Sequence, residues 1–294
     1  MEIRDLVVQI ITGASVGMVI FLIASGLTLV FGVLGVINFA HGCLYMLSAY
    51  LCYTIVKSLG DTPGAYYLAV AVAPIAIALL GLLLELTLLR RVYHLELLYQ
   101  LLLTFALIYI LTDVAKMIWG LEYRSTPTPK ALGGSISILG RGFPIYNLFL
   151  IVFAGLMGGA LWLLLHKTRF GRIIRGTAAD RDMVNALGVN VPWVFSLVFA
   201  IGTWLAGLSG ALMAPITAAA PGMDEDIILE CFIVVVIGGM GSMGGALLGA
   251  LILGETTALS VLFFPKLTMV FPFIFMALVL VFRPWGLLGK PIRG

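Results

Sequence analysis

"MVIFLIASGLTLVFGVLGVINFAHGCLYMLSAYLCYTIV" (residues 18–56) sets Asn38 and His41, with the small Ala40 and Gly42, between two runs apolar enough to face lipid. About 20 consecutive apolar residues cross a bilayer as a helix, and runs of this kind recur along the whole chain. Lipid offers no hydrogen bonds, so a polar pair at such a place reads as a point where a helix is interrupted and its backbone must be satisfied locally.

Composition leads the same way. The 294 residues are 62% hydrophobic and 11% charged, where a soluble domain carries roughly 25% charged residues. Continuous runs such as "FLIVFAGLMGGALWLLL" (149–165) lack the alternation of a barrel strand. The expected fold is all-α, a polytopic transmembrane helical bundle forming one domain over residues 1–294. Spans are expected near 7–34, 37–57, 65–89, 97–119, 145–166, 192–219, 227–240, 245–263 and 268–283. That gives about 8–10 spans, with a glycine-rich broken helix or re-entrant segment near 238–245. The opening "MEIRDLVVQI" has no basic n-region or small-residue cleavage site, so no cleaved signal peptide is expected. The net charge of +3 is spread over loops and does not point to nucleic acid. Cys43, Cys52 and Cys231 all fall in apolar runs and read as buried thiols, not as a disulfide framework or metal site.

The basic loop "HKTRFGRIIRGTAADRDMVNALGVN" (166–190) belongs on the cytoplasmic side, since positive loops are retained there. "RRVYH" (90–94) and the tail carrying Arg283, Lys290 and Arg293 go with it. The acidic "APGMDED" (220–226) fits an outer loop. The loop 120–144 is placed outside, with "STPTP" (125–129) as extended, exposed chain. An odd number of crossings must separate the acidic loop from the tail. Three fit if "GGMGSMGG" (238–245) turns the chain, and the N-terminus then lies outside.

Gly239, Gly241 and Gly244 match G-x-G-x-x-G, but a dinucleotide site needs a soluble βαβ unit and an acid about 20 residues on. Here the context is membrane and the next acid is Glu255. Glycine instead permits a sharp turn and close helix contact, and Gly245-x-x-x-Gly249 extends the small surface. The two readings that remain are a broken helix lining a pathway and a plain helix–helix seam.

"GTAADRDMVNALGVNVPW" (176–193) reads as a short amphipathic helix. Thr177 is its expected cap, with Asp180 in the first turn. Ala179, Met183, Ala186 and Leu187 form one apolar stripe, Gly188 ends the helix and Pro192 opens the next span. The stripe is narrow and lacks Trp or Phe, which favours a protein groove over a lipid surface.

Among ionisable groups inside apolar runs, Glu85 is expected to pair with Arg90 or Arg91, and Asp113 with Lys116. Glu230 is assigned to the outer interface. Glu255, beside Thr256 and Thr257, is the deepest candidate. His41, His94 and His166 are dispersed, and the chain has no Walker A, H-E-x-x-H or G-x-S-x-G sequence.

Three stretches together resemble one family over nearly the whole chain: "GLTLVFGVLGVINFAHGCLYMLSAY" (26–50), "GRIIRGTAADRDMVNALGVNVPWVFSLVFAIGTWLAGLSGALMAP" (171–215) and "VVIGGMGSMGGALLGALILGE" (235–255). "YQLLLTFAL" (99–107) fits as well. They resemble the permease subunits of branched-chain amino-acid ABC importers, a group whose relatives also import urea, short amides and aromatic acids. The segment holding Ala178, Ala179, Asp180 and Gly188 resembles the loop by which such permeases engage their ATPases, with Thr177 where that pattern has Glu.

The resemblance implies a non-enzymatic transport subunit, multi-pass in a bacterial inner membrane. Its partners would be two cytoplasmic ATP-binding subunits, a second homologous permease or a second copy, and a periplasmic solute-binding protein. ATP and Mg would sit on the partner subunits and no cofactor on this chain. Thr177, Ala178, Ala179, Asp180, Arg181, Met183, Leu187 and Gly188 are the expected ATPase-coupling residues. Asn38, His41, Gly42, Gly238, Gly239, Gly241, Gly244, Gly245 and Glu255 are the candidates for the translocation path or helix break. The Asn38–His41 pair is expected to hold a bend beside the path. The rival classes are an ion-coupled secondary transporter, which needs a deep acidic or cation site, and a membrane enzyme, which needs catalytic groups gathered at one depth.

Overall fold

The computed structural model describes residues 3–60, 62–138 and 140–289. Eleven α-helices follow in order among the described residues: α1 (Ile3–Leu34), α2 (His41–Leu59), α3 (Ala65–Thr87), α4 (Leu97–Trp119), α5 (Ile145–Lys167), α6 (Arg169–Ala179), α7 (Arg181–Ala186), α8 (Val191–Met213), α9 (Met223–Gly238), α10 (Met243–Phe263) and α11 (Phe271–Phe282). The polytopic helical bundle read from hydropathy is the fold observed. Seven of these helices are long and apolar enough to cross a membrane, namely α1–α5, α8 and α10. α9, at 16 residues, and α11, at 12, are shorter. Among the described residues the one small sheet is a hairpin of β1 (Ser135–Ile138) and β2 (Arg141–Pro144) in the loop between α4 and α5. Hydropathy gave no sign of it. In the same loop Thr126 is buried, where the sequence suggested exposed chain.

α1, α2, α8, α9 and α10 supply most of the buried core. Lipid is as apolar as leucine, so these helices gain little from hydrophobic association and are held by close packing of small residues and by interhelical hydrogen bonds. α1 lies antiparallel to α10: Gln9 Nε2 donates to Ala258 O at 2.6 Å, Gly13 faces Gly254 and Gly17 faces Ala250. Ser48 Oγ donates to Gly207 O at 2.6 Å and Ser209 Oγ to Val19 O at 3.0 Å, tying α8 to α2 and α1.

The ends of α1, α3, α5 and α11 and the segment 166–190 gather at one end of the bundle. It holds Arg90, Arg91, Lys167, Arg169, Arg172, Arg175, Arg181 and Arg283, and is the end that the positive-inside rule would assign to the cytoplasm. At this end Glu85 pairs with Arg90 (3.4 Å) and accepts from Ser196 Oγ (2.6 Å), locking α3 to α8. Asp113 pairs with Lys116 at 3.0 Å, the local contact that their spacing implied. At the opposite end Arg141 pairs with Asp5 at the start of α1.

Two spans are interrupted. α1 ends at Leu34, yet His41, the first residue of α2, contacts the carbonyl of Ile23. Eleven residues of helix rise about 16 Å, so segment 35–40 runs back into the membrane depth and α2 starts there. Likewise α8 ends at Met213, while Asp224 in the first turn of α9 packs against Gly42. The expected spans 192–219 and 227–240 are corrected accordingly. Residues 214–222 are non-helical, and "MDED" (223–226), read as outer loop, forms the first turn of α9. Three acids there are favourable at the positive end of a helix dipole.

Candidate functional site

The first interruption is built around Gly35, whose φ of +72° ends α1. Asn38 O accepts the His41 amide at 3.2 Å, closing a turn that starts α2 without a side-chain cap. Both polar side chains are buried. His41 Nε2 lies 3.3 Å from Ile23 O; a carbonyl only accepts, so Nε2 carries the proton. His41 Nδ1 and Asn38 Oδ1 have no partner among the described residues. The two side chains therefore do not bond each other; His41 fastens the break to the middle of α1. Between them, the Phe39 ring is stacked against Phe105 of α4 (centroids 4.7 Å apart) and Phe232 of α9 (4.5 Å).

Gly42 then lets the starts of α2 and α9 cross. A Cβ at Gly42 would stand 2.3 Å from Asp224 O. Asp224 is 2% exposed, and its Oδ2 accepts from Cys43 Sγ (3.0 Å) and Thr112 Oγ1 (2.7 Å). One carboxylate thus joins α2, α4 and α9 at the N-termini of two interrupted helices. The sequence reading missed Asp224 because its neighbours made it look like loop. The available signal was Gly222 followed directly by an acidic first turn and an apolar run. All three cysteines are free and buried, as their apolar context implied.

The glycine-rich turn follows α9. Gly239 and Gly241 have φ of +98° and +79°, and Ser242 caps α10 by accepting the Gly245 amide at 3.1 Å. Gly238 and Gly245 meet backbone to backbone, so α9 and α10 form a tight hairpin. The hairpin is the turn expected at 238–245. The C-terminal segment closes over it: Leu287 N donates to Ile237 O (2.8 Å) and Leu288 N to Gly238 O (3.0 Å). These bonds satisfy carbonyls that the end of a helix leaves open. Gly241 packs against Gly32, which brings the turn to the end of α1 next to Gly35. Gly244 also lies at this turn.

Glu255 is not part of this group. It faces Gly13 of α1, ten residues or about 15 Å of helix from Ile23, and lines a crevice between α10 and α11 with Phe263, Phe271 and Phe275.

The segment expected as one helix within 176–193 is two, since α6 runs through Ala179 and α7 starts at Arg181, so Ala179 does not share a helix with Met183 and Ala186. Thr177 is not a cap: it is buried inside α6, with its hydroxyl donating to Ile173 O. The helix breaks at Asp180, whose Oδ1 accepts the Met183 amide at 2.9 Å and caps α7. Asp180 competes better for free amides because it carries a full charge. Ala178 and Ala179 complete α6, and Gly188, at φ +84°, terminates the unit. Asn190 caps α8, with Pro192 in its first turn. Met183 and Leu187 are 59% and 75% exposed, so the stripe has no cover within this chain. Arg181 turns inward, donating to Leu34 O at 2.8 Å and lying 5.2 Å from the centre of the Phe195 ring. Tyr93, just beyond α3, donates to Glu85 Oε1 (3.2 Å); burial and that carboxylate push its hydroxyl well above the usual tyrosine range.

The model of the family "Branched-chain amino acid transport system / permease component" matches residues 9–280. The chain is 30% identical to the high-affinity branched-chain amino acid transport system permease protein BraD of Pseudomonas aeruginosa, over 99% of this chain and 98% of that protein. It is 31% identical to the corresponding LivH of Escherichia coli, covering 96% and 95%, and 27% identical to a probable LivH of Methanocaldococcus jannaschii, covering 91% and 88%. No solved structure matches the chain. Two interrupted spans, a glycine hairpin and an uncovered cytoplasmic helix thus lie within a match that runs almost end to end, and the chain belongs to the family of branched-chain amino acid transport permease components.

Proposed function

We propose that this chain is the membrane-spanning subunit of an ATP-driven ABC importer for branched-chain or related amino acids. It would work in a bacterial inner membrane. Two ATP-binding subunits, carrying ATP and Mg, would dock at α6–α7. A second permease, homologous or identical, would complete the path, and a periplasmic binding protein would deliver the solute. The observation that carries this reading is the arrangement of α7. Met183 on it and Leu187 just past its end face outward without cover, while Arg181 binds the last carbonyls of α1 where the interruption begins. A partner pressing on α7 would act directly on segment 35–40.

Asn38, His41 and Gly42, with the stacked Phe39, would form the movable element beside the path. Gly238, Gly239, Gly241, Gly244 and Gly245 would form its cytoplasmic hinge. Rigid elements moving around broken helices are the common route to alternating access. Thr177, Ala178, Ala179, Asp180, Arg181, Met183, Leu187 and Gly188 would carry coupling. Glu255 stands apart from that element and serves the α1–α10–α11 contact.

The test is mild purification with identification of what accompanies the chain, followed by uptake in proteoliposomes. ATP-dependent leucine or valine uptake that requires a binding protein supports the reading. Uptake by this chain alone under an ion gradient overturns it.

A further inference from the structure

We infer that a pocket between α1, α2, α8 and α9, in the outer half of the chain, holds the ammonium group of the incoming amino acid. This rests on the transport reading above and assigns a place within it. The cavity measures about 240 Å³, the share of about eight water molecules in the liquid. Asp226 and Glu230 line it from α9 and Tyr45 from α2. Val16, Val19 and Ile20 of α1 make an aliphatic wall. Met213, the last residue of α8, and Thr217, just past it, mark the side from which it is reached.

Asp226 and Glu230 stand four residues apart and so share one face of α9. No described residue donates a hydrogen bond or forms an ion pair with either. Tyr45 is 3% exposed, and its hydroxyl bonds to no described residue although the side chain lines the cavity. Glu230 is partly buried at membrane depth and unopposed by any cation among the described residues, which is costly unless something neutralises it, while Asp226, one turn earlier, is exposed beside it.

The shape and chemistry select the occupant. A hard inorganic cation wants six or more oxygens around it, and no group of three or more His, Cys, Asp or Glu residues gathers among the described residues. A bare ion would also leave most of the cavity empty. A primary ammonium has three donors, matched one to one by Asp226, Glu230 and the Tyr45 hydroxyl. The aliphatic wall then receives the side chain of a small apolar amino acid, and its carboxylate points to the open mouth.

The intact complex in proteoliposomes, with labelled L-leucine as probe and saturating binding protein, tests this. Losing one charge-assisted hydrogen bond predicts about a tenfold fall in uptake for Glu230→Gln and for Asp226→Asn. Tyr45→Phe, which keeps the volume, predicts about a threefold fall. In the wild type, 2-hydroxy-4-methylpentanoate, which lacks the ammonium group, should not compete with leucine for the complex stripped of its binding protein. Full uptake by both charge variants beside an active wild type overturns the pocket and leaves the importer reading intact. No amino-acid uptake by the wild type overturns both. Uptake that needs sodium in the wild type but not in Glu230→Gln assigns the pocket to an inorganic cation and overturns the ammonium. If the charge variants do not assemble, unchanged uptake by Tyr45→Phe overturns the proposal.

Discussion

Arg181 Nη2 donates to Leu34 O at 2.8 Å across 147 residues of sequence, and reaches Val33 O at 3.4 Å. The guanidinium caps α1 at its negative end and belongs to the first residue of α7. The start of α7 and the start of the membrane interruption are therefore tied together by one side chain. Loss of a charged donor at an exposed site costs about 1 kcal/mol, a shift of about fivefold. Arg181→Ala should leave ATP hydrolysis by the complex near wild type and lower solute transported per ATP by about fivefold. A proportional fall in both would make Arg181 merely structural. Arg181→Lys should recover only part of the coupling, because lysine lacks the planar fork that serves two carbonyls and the Phe195 ring.

Met183 and Leu187 are both apolar and largely exposed. Met183→Ser with Leu187→Ser should change thermal stability by less than about 0.5 kcal/mol, as surface changes do. The same pair should reduce co-purification of ATP-binding subunits by about tenfold, since apolar anchors dominate such contacts. Undiminished co-purification would move the docking surface away from α7.

Gly42 lets α2 and α9 approach too closely for a side chain at that position. Gly42→Ala places a Cβ 2.3 Å from Asp224 O, and overpacking of this kind costs about 1–3 kcal/mol. Gly159, which has nothing within 4 Å of an added Cβ, supplies the contrast. Gly159→Ala should be neutral or stabilising by up to about 1 kcal/mol, from helix propensity. Thermal unfolding in detergent reads both; equal effects would mean that the two interrupted helices do not cross at Gly42.

Asp224 holds the Cys43 thiol by a 3.0 Å hydrogen bond. In the wild type Cys43 should resist maleimide labelling in the folded protein. Asp224→Ala removes the acceptor for both Cys43 and Thr112 and should cost about 1–3 kcal/mol. It should also make Cys43 label at least about tenfold faster by local opening. Equal labelling would show that this junction opens freely without Asp224.

Much of this was legible in the sequence because the determinants are local. Hydropathy over about 20 residues marks a span regardless of what surrounds it, so α1–α5, α8 and α10 lie where their apolar runs predict. The glycines of 238–245 and the Gly188–Pro192 punctuation were equally readable, since positive φ and the missing amide are properties of single residues. The exposed stripe of Met183 and Leu187 follows from helical spacing alone. Thr177 was misread because a cap depends on where the preceding helix stops, and α6 runs on through it.

The remaining features depend on contacts that only the folded chain makes. The depth of the break at 35–40 is set by His41 meeting Ile23, and the burial of Asp224 by Gly42, 182 residues earlier in the chain. The strap of Leu287 and Leu288 over the glycine turn joins segments about 50 residues apart. Hydropathy says that a segment enters lipid but not how far it goes before turning back. That depends on which neighbour satisfies its freed backbone and polar groups, because the bilayer cannot. The sequence therefore determined a helical transport subunit with an exposed cytoplasmic helix. Tertiary packing decided that two of its spans are interrupted and meet at Gly42 and Asp224, and that Glu255 lies elsewhere.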